Sequence, residues 1–256
     1  MLIKRNLGTV YLDEQPQYPC VEYRMKNPKT KKFNLPKVSL RDTYKGYYST
    51  WIVLGGVLVA EKPLLVRISW DDLEANDLIR GKIVIINRLP YRMRLLRAEG
   101  DRNHLGEWGE LLDTLEEEGE EVLGAVWPTW AEAQRFPSPD VRAFVGNQNY
   151  INIRTRGYMR HDIWKDMAWR PVLEPICVDL NDKQAEESLA IWTKTGEFIT
   201  GRLVDMTSYD LLLADGICIA PDGTNGSRWV DRNKMCMAVD RDGIWSVQSY
   251  TELPSN

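Results

Sequence analysis

The chain has 256 residues, 43% of them hydrophobic and 27% charged, a composition typical of a folded globular protein and not of a disordered one. Its formal net charge of −4 disfavours general nucleic-acid binding, which normally needs a positive surface. The four cysteines include no C-x-x-C pair and there are only two histidines, so we expect no metal site and no cofactor.

The N-terminus lacks the apolar stretch of a signal peptide, and the most apolar run, residues 51–60, is too short to cross a bilayer. We therefore expect a protein that is cytoplasmic when synthesised and has no membrane span. The 10 Trp and 11 Tyr outnumber the 4 Phe. Amphipathic aromatic residues are common on binding faces, and the alternative is that tryptophan fills the cores.

Residues 1–67 are predicted to form a β-rich N-terminal segment. The basic run 26–32 is typical of a solvated turn, and the alternative is a basic arm for an acidic partner. Residues 51–60 are β-branched and contain Gly55-Gly56, which favours a buried strand or an apolar turn. Ser69 is a candidate helix N-cap, with Asp72 in the position of a capping-box partner. That helix is expected to end near residues 77–81.

Residues 83–87 and 91–96 are predicted to be the two strands of a hairpin. The apolar residues 108, 111, 112 and 115 have helical spacing, and the acidic tract that follows is interpreted as a solvated helix face. From residue 188 onward, short runs at 189–193, 197–205, 209–213, 235–239 and 244–248 predict five strands of a small, bent β-barrel. Cys218 and Cys236 are placed where they could meet across a hairpin, but a reduced state is the simpler expectation.

Ordered pieces of the middle region resemble C-type-lectin-like domains of bacteria and their phages, which include formylglycine-generating-enzyme relatives and the targets of diversity-generating retroelements. The pieces are ISWDDL at 68–73, GKI at 81–83, YRMRLL at 91–96, Glu107-Trp108, Arg156-Gly157 with Trp164, and WRPVLE at 169–174. The resemblance covers residues 68–177 and implies an α+β, mostly β fold. It also implies that the closing WRPVLE motif supplies a core tryptophan, an arginine that ties loops to the sheet, and an edge strand.

The resemblance to formylglycine-generating enzymes does not extend to their oxidase chemistry, because those enzymes hold copper with cysteines and none lies between Cys20 and Cys177. Retroelement targets display varied side chains just before the closing motif. The corresponding candidate ligand-binding residues here are Asn147, Asn149, Tyr150, Asn152, Arg154, Tyr158, Arg160, His161 and Trp164. Aromatic and multi-donor side chains suit recognition. The alternative is a loop whose polar residues satisfy one another.

The C-terminal part, residues 188–253, resembles Sm-like barrels, including Hfq, and the related SH3-like barrels. The sequence GEFITGRL at 196–203 carries the glycine spacing of the first Sm motif, and YDLLL at 209–213 fits the third strand. This resemblance implies an RNA pocket at Tyr209, Arg228 and Arg241. Aspartates at 205, 210, 215, 222, 231, 240 and 242 would repel phosphate, so protein binding or homo-oligomerisation through the barrel is favoured.

The sequence contains no P-loop, nucleophile elbow or metalloprotease motif, so we expect no enzymatic activity and no catalytic residue. The favoured function is that of a phage- or prophage-encoded binding or structural protein, associated with the virion or tail, that recognises a protein partner. One alternative is an intracellular inhibitor of a host defence system, anti-CRISPR-like, that sequesters a protein or nucleotide. Another is an RNA-binding Sm-like regulator.

Overall fold

The computed structural model describes residues 2–24, 35–98, 106–119, 128–132, 141–145, 156–161, 167–220, 230–231 and 236–250. In these residues the chain is mostly β, with two sheets and two α-helices, which bears out the mostly β class. The chain divides into two compact units. Unit 1 comprises Met1–Leu2, Asn6–Asn87 and Arg92–Glu174, and unit 2 comprises Ile3–Arg5, Arg88–Tyr91 and Pro175–Asn256.

The first sheet contains fourteen strands, and its main strand order is β2-β1-β5-β6-β14-β9-β10-β13-β7-β3. Its strands are β1 Lys4–Leu12, β2 Gln15–Gln17, β3 Val21–Glu22, β4 Val38–Arg41, β5 Tyr48–Leu54, β6 Val57–Ala60, β7 Leu65–Val66, β8 Lys82–Ile86, β9 Leu89–Arg97, β10 Thr129–Glu132, β11 Val141–Val145, β12 Arg156–Met159, β13 Ala168–Trp169 and β14 Pro171–Pro175. Strands from both sides of residue 67 therefore belong to one sheet. The three predicted domain boundaries stay predictions.

The apolar run 51–60 forms most of a β-hairpin made by β5 and β6, in which Leu54 pairs with Val57. Gly55 and Gly56, which both have positive φ, make the two-residue turn. Such turns need positive φ at both central positions, which glycine adopts without strain. The run is thus two strands and a turn, and the basic run 26–32 lies outside the described residues.

The first predicted helix is present as α1, Trp70–Ala75, with Ser69 as its N-cap. The expected end near residues 77–81 is wrong, because the helix ends at Ala75 with Asn76 as its C-cap. The Asp72 amide donates to Ser69 Oγ at 3.1 Å and the Ser69 amide donates to Asp72 Oδ2 at 2.9 Å, which completes the capping box. The second predicted helix is confirmed as α2, Gly106–Glu117. Among the described residues, neither helix is long and apolar enough to cross a membrane.

The core of unit 1 forms where α2 packs on the first sheet. Trp108 and the three leucines of the predicted apolar stripe are buried there with residues of β5, β9 and β14. Tryptophan is prominent in the interior, since Trp51, Trp108, Trp130 and Trp169 are among the largest fully buried side chains. Burying aromatic rings of this size contributes strongly to stability through the hydrophobic effect.

The closing motif at 169–174 has two of its three expected roles. Trp169 is fully buried, and Arg170 donates from Nη1 to the carbonyl oxygens of Ala60 at 3.2 Å and Glu61 at 2.8 Å. The motif therefore supplies a core tryptophan and an arginine that ties the end of β6 to the sheet. The expectation of an edge strand is wrong, because β14 lies between β6 and β9; Val172 pairs with Val59 across one of these contacts.

The second sheet has the order β18-β19-β17-β16-β15-β20, with every described pairing antiparallel. Its strands are β15 Ser188–Thr193, β16 Phe198–Met206, β17 Asp210–Ile219, β18 Val230–Asp231, β19 Cys236–Asp240 and β20 Ile244–Ser249, with 3-10 helices at Leu180–Asp182 and Arg241–Gly243. The five predicted strands of this region are confirmed. No disulfide joins Cys20, Cys177, Cys218 or Cys236, all of which are among the described residues, and the reduced state of Cys218 and Cys236 stays a prediction.

The glycines of the predicted Sm-type motif have distinct physical roles. Gly196 has a φ of +80° in the turn between β15 and β16, where a side chain would be strained. A Cβ added to Gly201 would lie 2.8 Å from Leu213 Cβ, because β16 and β17 approach closely there. Register shifts near residues 200–205 show that β16 is irregular at the same place, as expected for a strongly bent strand.

Candidate binding sites

Strands β11 and β12 flank the polar segment that the sequence predicts to bind a ligand. They are antiparallel neighbours, with Phe144 paired to Arg156 and Val141 to Met159, so residues 146–155 connect two adjacent strands. Strand β11 also pairs with β10. The predicted residues that lie outside the described part of the chain are Asn147, Asn149, Tyr150, Asn152, Arg154 and Trp164. The backbone of Tyr158 lies in β12.

Arg160 follows β12 directly and is bound to the first helix. Its Nη2 lies 2.5 Å from Glu74 Oε2 and its Nε forms an ion pair with Asp71. The Asp71 amide also donates to the Arg160 carbonyl at 3.2 Å. The hydrogen bond that Arg160 donates to the Asp71 carboxylate, with the charges of both carboxylates, raises the pKa of Arg160. Arg160 thus holds the end of β12 against α1, and the next residue, His161, is exposed.

The residues near the second sheet that the sequence predicts to contact RNA are partly brought together. The side chain of Tyr209 is 77% exposed, and its carbonyl accepts a hydrogen bond from the Arg241 amide at 2.8 Å. The Arg241 guanidinium donates to the Thr207 carbonyl at 2.7 Å. Arg228 lies outside the described residues. Asp210 and Asp240 face each other across β17 and β19, so two carboxylates flank Tyr209 and Arg241, as the sequence predicted.

The two outer edges of the second sheet are each partly occupied within unit 2. Strand β18 pairs with the first half of β19, through Val230 with Met237 and Asp231 with Cys236. The Val178 amide donates to the Val247 carbonyl of β20 at 2.9 Å. Free strand edges are the usual place for one subunit to pair with another. A homo-oligomer that formed by pairing strands across these edges would therefore have fewer unpaired backbone N–H and C=O groups available.

A cluster of tyrosines on the surface of unit 1 was not predicted from the sequence. We call Tyr18, Tyr44, Tyr47 and Tyr48 the tyrosine patch. Tyr18, Tyr44 and Tyr48 are 61%, 55% and 44% exposed. The rings of Tyr18 and Tyr47 stack with centroids 4.4 Å apart, and Tyr44 lies 5.7 Å from Tyr47 at a tilt of 37°. Hydrogen bonding between the two hydroxyl groups of the stacked pair raises the pKa of Tyr47.

A cleft of about 210 Å³ adjoins the tyrosine patch. Its lining residues are Pro19, Tyr48, Thr50, Glu61, Lys62 and Leu64. Because Pro19 follows Tyr18 and Tyr48 follows Tyr47, the ring stack joins the two segments that form its sides. The surplus of tyrosine in the composition was the only sequence signal for this surface, since residues 18–19, 47–50 and 61–64 are far apart along the chain.

The described residues include no group of three or more His, Cys, Asp or Glu side chains that could hold a metal ion. Neither protein-family models, nor curated proteins, nor solved structures give a match to this chain. The lectin-like and Sm-like resemblances therefore rest on the motifs quoted above, and the argument for function rests on the local geometry.

Proposed function

We propose that the chain is a non-enzymatic binding protein that recognises a protein partner through the segment between β11 and β12 and the residues that follow it, up to residue 164. The observation that supports this proposal is the antiparallel register of β11 and β12. A segment rich in asparagine, tyrosine and arginine is thereby attached at both ends to neighbouring strands of a large sheet. This is the arrangement that a lectin-like recognition loop requires.

Anchoring of the flanking strands favours binding for an energetic reason. Ordering a loop on binding costs about 0.5–1.5 kcal/mol for each immobilised long side chain, and this cost subtracts from affinity. Here β11 pairs with β10 on its other side, and Arg160 fixes the end of β12 to Asp71 and Glu74. The ends of the segment are therefore fixed before any partner arrives.

The second unit is proposed to be an Sm- or SH3-like barrel that aids assembly. The pairing of β15 with both β16 and β20 supports this, because the first and last long strands of a small barrel must be neighbours for the sheet to close. Homo-oligomerisation through this unit remains part of the proposal. Because the edges of β19 and β20 are partly occupied, we propose that the oligomer uses contacts other than a ring in which strands of neighbouring subunits pair along their whole length.

RNA binding at the barrel is a second candidate, and it is favoured by one observation. Tyr209 is highly exposed and adjoins Arg241. Proteins commonly bind single-stranded RNA with this combination, in which an aromatic ring stacks on a base and a cation lies near the phosphates. The facing carboxylates of Asp210 and Asp240 oppose it, because phosphate binding depends on surplus positive charge. A gel shift at low salt with uridine-rich or adenine-rich RNA tests this candidate, and no shift would remove it.

The biological setting is proposed to be a virion or tail, and the alternative is inhibition of a host defence system inside the cell. Neighbouring genes for tail or baseplate proteins would support the first setting. A cluster of small early genes would support the second. Both settings use the same recognition surface and differ in the partner that it binds.

Affinity purification of the tagged protein from the cells in which it is naturally made tests the proposed function. A variant with Asn147, Asn149, Tyr150 and Asn152 all changed to alanine should lose the co-purified protein. The matched control is Tyr209→Ala with Arg241→Ala, which removes an exposed aromatic residue and a cation from the barrel and should retain it. Retention of the partner by the first variant, or its loss from the control, would contradict the proposal.

A further inference from the structure

We propose that the tyrosine patch and its cleft bind single-stranded nucleic acid, with bases stacked on the exposed rings and phosphates beside two lysines. The site is formed by residues 18–19, 44–50 and 61–64 of unit 1. It shares no residue with the segment between β11 and β12, so this inference is independent of the function proposed above. It is also separate from the RNA candidate at Tyr209, which belongs to unit 2.

The exposure of the rings is the first argument. Large aromatic side chains are usually at least partly buried, whereas Tyr18, Tyr44 and Tyr48 are each more than two-fifths exposed. Every nucleic-acid base has a flat aromatic face, and proteins that hold single strands without sequence preference stack the bases on such side chains. The patch therefore presents ring faces on which bases can stack.

The arrangement of the rings restricts how a strand can bind. The centroids of Tyr18 and Tyr47 are 4.4 Å apart, so the two rings are in contact and no base enters between them. The Tyr44 ring lies 5.7 Å from Tyr47 at a tilt of 37°, so it does not continue the same stack. The patch therefore offers two separate stacking positions, which are the outer face of Tyr18 and the ring of Tyr44.

The charges of the site favour an anionic ligand. The charged residues of its three segments are Lys45, Glu61 and Lys62. Lys45 and Lys62 are exposed, and neither has an ion-pair partner among the described residues. Glu61 already interacts with other groups, and the buried Arg170 is one of them. The charged groups left for a ligand are therefore two ammonium groups, which attract phosphate.

A buried positive charge adds to that of the lysines. Burial raises the pKa of the Cys20 thiol, and the positive charges of Lys62 and Arg170 act against that rise. Because Cys20 follows Pro19, which lines the cleft, both positive charges act at the cleft. The carboxylate nearest to the three segments along the chain is Asp42, which accepts from a backbone amide at 2.6 Å. The site thus has a surplus of positive charge, which is what binding of phosphates requires.

The rings and the lysines together favour a single strand over other anions. In a duplex the bases are stacked on one another, and taking them out of the stack costs free energy. An acidic peptide would use the lysines but would leave the ring faces without a flat partner. A single strand uses both features, because its bases are accessible and its phosphates follow one another along the backbone.

Backbone hydrogen bonds hold the segments of the site in place. The Tyr44 amide donates to Thr9 Oγ1 at 2.8 Å, and the Tyr47 amide donates to the Tyr44 carbonyl at 2.9 Å. The Cys20 amide donates to the Pro63 carbonyl, also at 2.9 Å. Because these segments are fixed before a strand arrives, binding avoids most of the cost of ordering loops.

Fluorescence polarisation of the full chain with labelled single strands of about ten nucleotides tests the proposal. The strands are oligothymidine and oligouridine, so the two arms of the experiment distinguish DNA from RNA. We expect at least one of them to bind at low salt. Tyr44→Ala should weaken that binding about tenfold, whereas Tyr44→Phe, which keeps the ring face, should weaken it less than about twofold. Both variants keep the hydrogen bonds of the Tyr44 backbone.

The salt dependence of the affinity tests the role of the lysines. Two phosphate contacts on a single strand give a slope of about −1.4 for log affinity against log salt concentration, or about −0.7 for each contact. Lys45→Gln and Lys62→Gln should each bring that slope about 0.7 closer to zero. Lys194→Gln is the matched control, since it removes an exposed lysine from unit 2 and should leave the slope unchanged. Tyr209→Ala, the control for the rings, should leave the affinity unchanged.

Several results would overturn the proposal. One is that neither strand binds at low salt, and another is that Tyr44→Ala leaves the affinity unchanged. A third is that Tyr209→Ala abolishes binding, because the strand would then occupy unit 2. Equal binding of polyglutamate would also overturn it, since that polymer has negative charge but no bases. Tyr44 is exposed, so a thermal melt of Tyr44→Ala should match that of the unchanged protein.

Discussion

Replacement of Arg170 tests whether its buried guanidinium holds β6 and β14 together. Arg170 is 1% exposed, donates to the carbonyls of Ala60 and Glu61, and lies with its Cζ 5.9 Å from the centre of the Trp108 ring. Burial lowers the pKa of Arg170 to about 10, so the group is still protonated at neutral pH. The structure therefore contains a buried charge that donates to two backbone carbonyls.

The expected magnitude follows from these contacts. A hydrogen bond with a charged partner is worth about 1.5–3 kcal/mol, and the loss of a buried long side chain leaves a cavity. We expect Arg170→Ala to lower the free energy of unfolding by about 4 kcal/mol. Arg170→Met fills most of the volume and removes the cost of burying a charge, but it leaves two carbonyls without their donor. We expect it to lower the free energy by about 2 kcal/mol.

Urea unfolding followed by tryptophan fluorescence measures the loss of free energy, and amide hydrogen exchange locates it. Amides of β6 and β14 should lose protection in both variants, with those of β16 and β17 as an internal reference. The reasoning would be refuted by a loss of less than about 1 kcal/mol in Arg170→Ala. It would also be refuted if Arg170→Met were no more stable than Arg170→Ala.

Three further predictions concern other parts of the fold. Asp72→Ala removes the capping box and the ion pair in which Arg24 Nη2 lies 2.7 Å from Asp72 Oδ1, and it should cost about 2–3 kcal/mol in urea unfolding. Gly201→Ala forces a Cβ to within 2.8 Å of another side chain and should cost about 1–3 kcal/mol, measured in the same way. Burial raises the pKa of Tyr91, so the unfolded chain loses this proton at lower pH than the folded chain does. Stability should therefore fall as the pH rises above about 10, the unfolded value, and Tyr91→Phe should flatten that fall between about pH 10 and 11.5.

Each of these has a control. Asp72→Asn keeps the size and one acceptor, so it should lose less than Asp72→Ala, and equal losses would mean that the retained acceptor contributes nothing and that the carboxylate charge with its Arg24 pair accounts for the whole effect. Gly243→Ala is the matched control for Gly201→Ala, because a Cβ added at Gly243 meets nothing within 4 Å. If the two glycine variants are equally stable, the close approach of β16 and β17 does not restrict position 201. If the free energy of unfolding of Tyr91→Phe falls with pH as steeply as that of the unchanged protein, the Tyr91 hydroxyl does not control stability at high pH.

Elements defined by local spacing were predictable from the sequence. The capping box needs only Ser69 and Asp72 three positions apart, and α2 needs only a stripe of apolar residues at helical intervals. The strands of the second sheet follow from short apolar runs separated by turns. In each case the residues that determine the structure lie within about ten positions of one another. The resulting element is therefore visible before any long-range contact is known.

The position of β14 was not predictable in the same way. Its partner residue Val59 is more than a hundred positions from Val172, and a five-residue strand carries no local sign of whether one or both of its edges are paired. The tyrosine patch was equally unpredictable, because its ring stack joins residues 18 and 47, which are far apart along the chain. Surfaces made by distant segments become visible only when the pairing of the strands is known.

The surplus of aromatic residues illustrates both alternatives raised by the composition. Trp51, Trp108, Trp130 and Trp169 are fully buried, as expected if tryptophan fills the cores. Tyrosine instead supplies the most exposed aromatic positions, which are the patch in unit 1 and Tyr209 in unit 2. A buried indole needs only one hydrogen-bond partner, such as the Leu7 carbonyl 2.6 Å from Trp51 Nε1. The division between the two residue types is not complete, because Tyr23 and Tyr91 are also buried.

Arg170 connects the core of unit 1 to the cleft beside the tyrosine patch. It holds the carbonyl of Glu61, and the side chain of the same residue lines the cleft. The neighbouring Trp169 carbonyl accepts from the amide of Leu64 at 2.9 Å, and Leu64 is also part of the lining. The closing motif therefore fixes two of the six lining residues through their backbones, although none of its own side chains reaches the cleft. A motif that first indicates a fold thus also sets the geometry of a surface, through the Trp169 carbonyl in β13 and the Arg170 side chain just before β14.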